Sequence, residues 1–120
     1  MCFIPAGAAW SDTISGNQLF EMCSATGDPS QSSFCVGFIL GTVEGLKLGI
    51  AWPMMLMGDK TTDEINKTSE KVLMVCAAPE VVSGQYVGVA IKYLSEHPET
   101  RHNSARMLIL ESFQQAFPCK

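Results

Sequence analysis

The chain has 120 residues, 47% hydrophobic and 17% charged, a balance that provides one domain with a packed core and excludes intrinsic disorder, collagen-like repeats and a highly charged coiled coil. Eight Lys and Arg against twelve Asp and Glu leave a net charge of −4. No basic field is available for nucleic acid, whereas an acidic surface suits a basic protein partner.

Met1 to Ala9 is apolar and small, ending Ala-Gly-Ala-Ala before Trp10. Residues 1–10 resemble the tail of a secretory signal or form an N-terminal arm, since they lack a basic n-region and are short for an apolar one. Residues 11–120 are assigned to a single domain. Ser15-Gly-Asn-Gln18 has the form of a capping box and opens a short helix to about Ala25, with Leu19 and Phe20 on its apolar face and Gly27 stopping the run. Asp28-Pro29-Ser30-Gln31 repeats the pattern: a cap acceptor, proline at the first helical position, and glutamine able to reach back.

The second helix runs through Phe34, Phe38, Ile39, Val43, Leu46 and Ile50 to Trp52, where Pro53 forces a stop or a kink. Gly37, Gly41, Gly45 and Gly49 recur every four residues and share one side, where another backbone can come close. Residues 34–57 are long enough to span a bilayer, but Glu44 and Lys47 stand in the middle, which favours a soluble helix with a charged outer stripe over a membrane span. After Met54 to Met57 comes a polar stretch from Gly58 to Lys71. It reads as a solvated connection, with an amphipathic helix over Thr62 to Leu73, Ile65 and Val72 inward, as the alternative.

Ser83-Gly-Gln85 opens a third main helix with Tyr86, Val87, Ala90, Ile91 and Leu94 inward, closed at Glu96-His97-Pro98. Asn103-Ser104 caps a fourth, with Ala105, Leu108, Ile109, Ser112, Phe113 and Ala116 on one face. No segment alternates with period two. The expected fold is all-α: a small disulfide-linked bundle of four main helices, with the 53–75 segment as the place for a further short one.

Five cysteines lie at 2, 23, 35, 76 and 119 without a C-x-x-C pair, which argues against zinc and for disulfides in an oxidising compartment. Helix topology ranks Cys23 with Cys35 and Cys76 with Cys119 first, because each pair closes the open ends of a helical hairpin. Cys35 with Cys76 is the main competitor, and Cys2 is left as a free thiol or an intermolecular link. No nucleophile elbow, phosphate loop or H-E-x-x-H pair is present. His97 and His102 fall in one connection, and Glu44 and Glu111 read as serving the outer face or an i,i+3 partner, Glu44 with Lys47. Neither an enzyme nor a cofactor or metal is expected.

Gly16-Asn17-Gln18-Leu19 with Cys23, Phe34-Cys35-Val36-Gly37 continuing to Glu44, Gly84-Gln85-Tyr86-Val87, and the tail Lys92-Tyr93-Leu94-Ser95-Glu96-His97-Pro98-Glu99 with Ala116-Phe117-Pro118-Cys119 together resemble the Tai/Rap-type immunity proteins of bacterial type VI secretion. The stretch between Ala51 and Val75 departs from that pattern in length and charge. The resemblance implies a small helical periplasmic protein, often a homodimer, that binds a toxic effector. In the best-known branch this is a peptidoglycan amidase with a Cys-His active site, inhibited by occlusion of its cleft.

Candidate effector contacts are Asp59, Asp63, Glu64, Asn66 and Lys67 in the polar excursion, and His97 and Arg101 in the loop from His97 to Asn103. The glycine ridge or the Met54 to Met57 patch is the candidate self-association surface. The rival reading is a periplasmic chaperone-like or lipid-binding helical module.

Overall fold

Four of the five α-helices begin where a side chain satisfies backbone N–H groups that the helix itself leaves free. The computed structural model describes residues 13–120, and the N-terminal arm or signal remnant together with Cys2 lies outside the described residues. Helix α1 (Gly16–Ser24) starts with a reciprocal cap: Gln18 N donates to Ser15 Oγ (3.2 Å) and Ser15 N to Gln18 Oε1 (2.9 Å). Helix α2 (Pro29–Met57) starts at Asp28, whose Oδ1 accepts from Ser30 N and Gln31 N while Gln31 Nε2 donates to Oδ2.

Pro53 does not end α2, which continues to Met57. Proline at 53 removes one N–H and crowds the carbonyl of residue 49; that residue is an exposed glycine, where a freed carbonyl can turn to water. The polar excursion is helical rather than the solvated connection its composition favours: α3 spans Thr62–Leu73. Helix α4 (Ser83–Glu96) and helix α5 (Ala105–Ala116) flank a short 3₁₀ turn at Pro98–Thr100. Val82 is the cap residue of α4, with its N–H donating to Gln85 Oε1 (2.9 Å). Ser104 occupies the cap position of α5 without a side-chain bond.

The core is small. Leu19 of α1, Cys35, Ile39 and Val43 of α2, Ala90 and Leu94 of α4, and Ala105, Leu108, Ile109 and Phe113 of α5 form one buried cluster. Ser112 is buried with them and spends its hydroxyl on Ile109 O (2.6 Å), while Ala116 is exposed. Tyr86 meets Phe113 and Phe117 edge-on at 5.2 and 5.6 Å between ring centroids, the geometry that aromatic quadrupoles favour. At the other end, Gly16 N and Asn17 N donate to Asn103 O and Arg101 O (2.8 and 2.7 Å), and Ala105 N to Ile14 O (2.8 Å), stitching the start of α1 into the α4–α5 turn.

Two disulfides complete the bundle. Cys23–Cys35 ties the end of α1 to the start of α2, and Cys76–Cys119 ties the approach to α4 to the segment beyond α5, where Cys76 N also donates to Phe117 O (2.8 Å). Closing chains of 12 and 43 residues restricts the unfolded ensemble by about 3 and about 4 kcal/mol on the loop-entropy scale.

Helix α2 is only partly used by this core. Its most apolar 18-residue window has a mean hydropathy of 1.6 and is 17% buried, so by length and composition it meets the requirement for crossing a bilayer. In the bundle its inner side meets the other helices, and an apolar outer side is left bare.

Candidate functional site

Helix α3 is the element least accounted for by packing. None of its residues is buried, and it leans on α2 through half-buried Ile65, Ser69 and Leu73, with Val72 turned outward and 61% exposed. Its ends are nonetheless fixed. At the start Thr61 and Glu64 form a capping box: Glu64 N donates to Thr61 Oγ1, and Thr61 N and Oγ1 both donate to Glu64 Oε1, all at 3.1 Å. The backbone and hydroxyl bonds from Thr61 hold the Glu64 carboxyl below its ordinary pKa of 4.5. At the far end Met74 takes a left-handed conformation, Gln114 Nε2 donates to Leu73 O (2.9 Å), and Cys76 begins the second disulfide two residues on.

Four of the five predicted contact residues of the excursion, Asp63, Glu64, Asn66 and Lys67, fall on α3. Asp63 and Lys67 form an ion pair one turn apart on the outside of α3 (3.1 Å, side chains 74% and 70% exposed); such an exposed pair adds a few tenths of a kcal/mol to the helix. Glu64 is committed to the cap. Asp59 precedes the helix, and with Gly58 it takes positive φ (57° and 73°), the sharp turn that reverses the chain out of α2. Asn66 lies on the rim of a groove of about 530 Å³ between α3 and the body, floored by Leu40, Val43, Leu46, Leu73 and Phe113. Glu44 and Lys47 line the same groove. They are not ion-paired with each other, the Asp63–Lys67 bridge standing alone among the described residues, so of the two alternatives for Glu44 the i,i+3 pairing with Lys47 is not formed and the exposed position is.

The second predicted set lies elsewhere. His97 stacks on Tyr93 (4.0 Å between centroids) with its Nδ1 2.9 Å from Tyr93 O, and Arg101 lies over the Phe20 ring at 4.2 Å while Nη1 donates to Leu94 O (3.3 Å). Both side chains brace the α4–α5 turn against its own neighbours, α1 included, whereas α3 packs on α2. The two candidate regions therefore do not share a cluster of contacts. Glu111, read as an outer-face carboxylate, accepts from Tyr93 OH (3.1 Å). Burial and this neighbouring carboxylate raise the Tyr93 pKa.

What remains is a rigid polar ridge beside a groove. The family model of Rap1a immunity proteins matches residues 15–119, a span that begins at the α1 cap and ends on the second disulfide. The chain belongs to the Rap1a immunity protein family. No curated protein and no solved structure matches it. Membership of an immunity family carries an effector-binding role, and such proteins generally act without catalysis. The signal that sequence reasoning passed over is the Thr61-x-x-Glu64 box, which marks the start of α3 as plainly as Ser15-x-x-Gln18 marks α1.

Proposed function

We propose that this chain is the periplasmic immunity partner of a type VI secretion effector, a peptidoglycan amidase, and that it works as a homodimer by filling the enzyme's cleft. The observation that carries the reading is α3, a helix with no buried residue that is fixed at both ends and presents Asp63, Asn66 and Lys67 outward. A projecting element whose backbone is already ordered loses little freedom on docking, so its contacts convert to affinity with small entropic cost. Asp59 extends this contact surface at the α2–α3 turn. His97 and Arg101 form a secondary edge, because both side chains are already engaged internally.

Bridged cysteines support an oxidising location such as the periplasm. The amidase target follows from the resemblance of the core motifs and fits an acidic protein steering toward a basic enzyme surface.

The test is co-purification with the product of the adjacent gene, followed by assay of that product's cleavage of peptidoglycan crosslinks with and without this protein. Stoichiometric loss of cleavage is expected. Exchanging both Asp63 and Asn66 for lysine, which leaves the Thr61–Glu64 cap in place, is expected to weaken inhibition at least tenfold, and unchanged protection by that variant removes α3 from the interface. The apolar floor of the groove favours one second reading, a lipid-binding or chaperone-like module. Uptake of a fatty-acid probe into that groove, with no effector complex formed, is the result expected of it.

A further inference from the structure

The exposed side of α2 reads the same in both directions about Gly45. Gly41 and Gly49 lie four residues to either side, Phe38 and Trp52 seven, and Phe34 and Leu56 eleven. At 100° per residue these seven positions share one face, opposite to Val43 and Ile39, which enter the core. Phe34 and Phe38 stack at 5.8 Å; Phe34, Trp52 and Leu56 are 41, 52 and 70% exposed, while Phe38 is half-buried, one side of it resting on the core. Among the described residues nothing lies within 4 Å of a Cβ built on Gly41, Gly45 or Gly49. The face is about 33 Å long at 1.5 Å per residue.

We propose that this face is the seat of a second copy of the chain, packed antiparallel across a two-fold axis at Gly45. An isologous contact requires a surface complementary to itself when reversed. Under this symmetry Gly41 faces Gly49 of the other copy, Phe38 faces Trp52 and Phe34 faces Leu56, so bulky groups close both ends while glycines permit close approach at the centre. The steps of three and four residues are those of a seam that two helices can follow over several turns.

Charge placement supports the same occupant. Glu44 and Lys47, the only ionised side chains of α2, turn aside toward the groove under α3, so α2 itself puts no ion on the strip, whose one charged neighbour is Arg106 beside Phe38 and Gly41, and self-contact need bury no charge of the helix. The inference deepens the homodimer of the proposed function by naming its face, but it stands on the helix pattern and not on the identity of the effector.

The decisive experiment places one thiol on the axis. In a Cys2→Ser background with native disulfides intact, Gly45→Cys is expected to give a covalent dimer through residue 45 under mild oxidation. Gly41→Cys alone is expected to stay uncrosslinked, whereas a mixture of Gly41→Cys and Gly49→Cys copies is expected to crosslink. Gly45→Leu is expected to raise the dimer dissociation constant at least tenfold in sedimentation, with Val82→Asp, an exposed apolar site off this face, as the unchanged control. A wild-type chain monomeric to 100 μM overturns the proposal, as does a dimer that never crosslinks at 45. A monomer that floats with phosphatidylglycerol vesicles assigns the face to a membrane. A monomer in which retained Cys2 bonds to the thiol introduced at position 45 of its own chain assigns the face to the N-terminal arm. If such a monomer still inhibits the effector, the occlusion reading survives and only this face is lost.

Discussion

A Cβ on Gly16 would sit 2.8 Å from the carbonyl oxygen of Arg101, and it would also strike Leu108 Cδ1. The first helical residue of α1 thus lies against the backbone of the α4–α5 turn, to which Gly16 N is also bonded through Asn103 O (2.8 Å). Backbone cannot swing aside as the end of a side chain can. Gly16→Ala is expected to destabilise the fold by about 1–3 kcal/mol, the usual cost of overpacking a tight contact, read as a lowered denaturant midpoint with unchanged slope. Gly88→Ala, on the exposed side of α4 with nothing within 4 Å of the added carbon, is expected to lack this penalty and to gain helix propensity.

Arg101 is expected to matter for stability before it matters for binding. Arg101→Ala loses the contact over Phe20 and the bond to Leu94 O, together about 1–3 kcal/mol. Lysine keeps the charge but not the planar fork, so Arg101→Lys should recover only part of that. Chemical denaturation of both variants measures the difference, and an unchanged midpoint in each removes the brace from this account.

The start of α3 should respond to acid. The Glu64 carboxyl is held below 4.5 by bonds that only its ionised form accepts well. Its contribution is therefore present above the unfolded value and is lost as pH falls through the lowered folded value. Protection factors of the Ile65 and Asn66 amides, exchange measured against the intrinsic rate at each pH, are expected to fall below about pH 4.5, by this linkage, before those of the core fall. Glu64→Gln, which cannot titrate, should show a flat response. Asp28 obeys the same sign, its carboxyl lowered chiefly by the Gln31 backbone bond, so the first turn of α2 is a second place to look.

The two disulfides should differ in accessibility. Cys35 is 2% exposed within the core, whereas Cys119 is exposed and Cys76 half-buried. Stepwise dithiol reduction with alkylation is expected to label Cys76 and Cys119 first. Equal labelling of both pairs at every step would contradict that order. Replacing both members of either pair by alanine should cost about 2–5 kcal/mol.

Much of the fold was legible because local chemistry and long-range packing agree in α1, α4 and α5. Leu19, Leu94, Leu108, Ile109 and Phe113 are apolar at helical spacing, and all are buried. Two places were harder. Pro53 carries a strong local stop signal, yet the surrounding helix tolerates it because the disturbed carbonyl belongs to exposed Gly49. Helix α3 buries too little for hydrophobic periodicity to reveal it: Val72, expected inward, is exposed, and Leu73 takes its place. The candidate site could be marked out as a segment, Asp59 to Lys71, but not as a surface. Which of its charges are free and which are spent on a cap depends on the helical register, and composition alone cannot supply that.

The sequence separations of the bridges, 12 residues for Cys23–Cys35 and 43 for Cys76–Cys119, impose a timetable on a chain oxidised while it emerges N-terminus first. The first pair can close as soon as the opening two helices are out, removing Cys35 from the reach of Cys76 before that thiol appears. Vectorial synthesis thereby discards the competing linkage without an isomerase, and refolding of the full-length reduced chain in free solution forfeits that advantage.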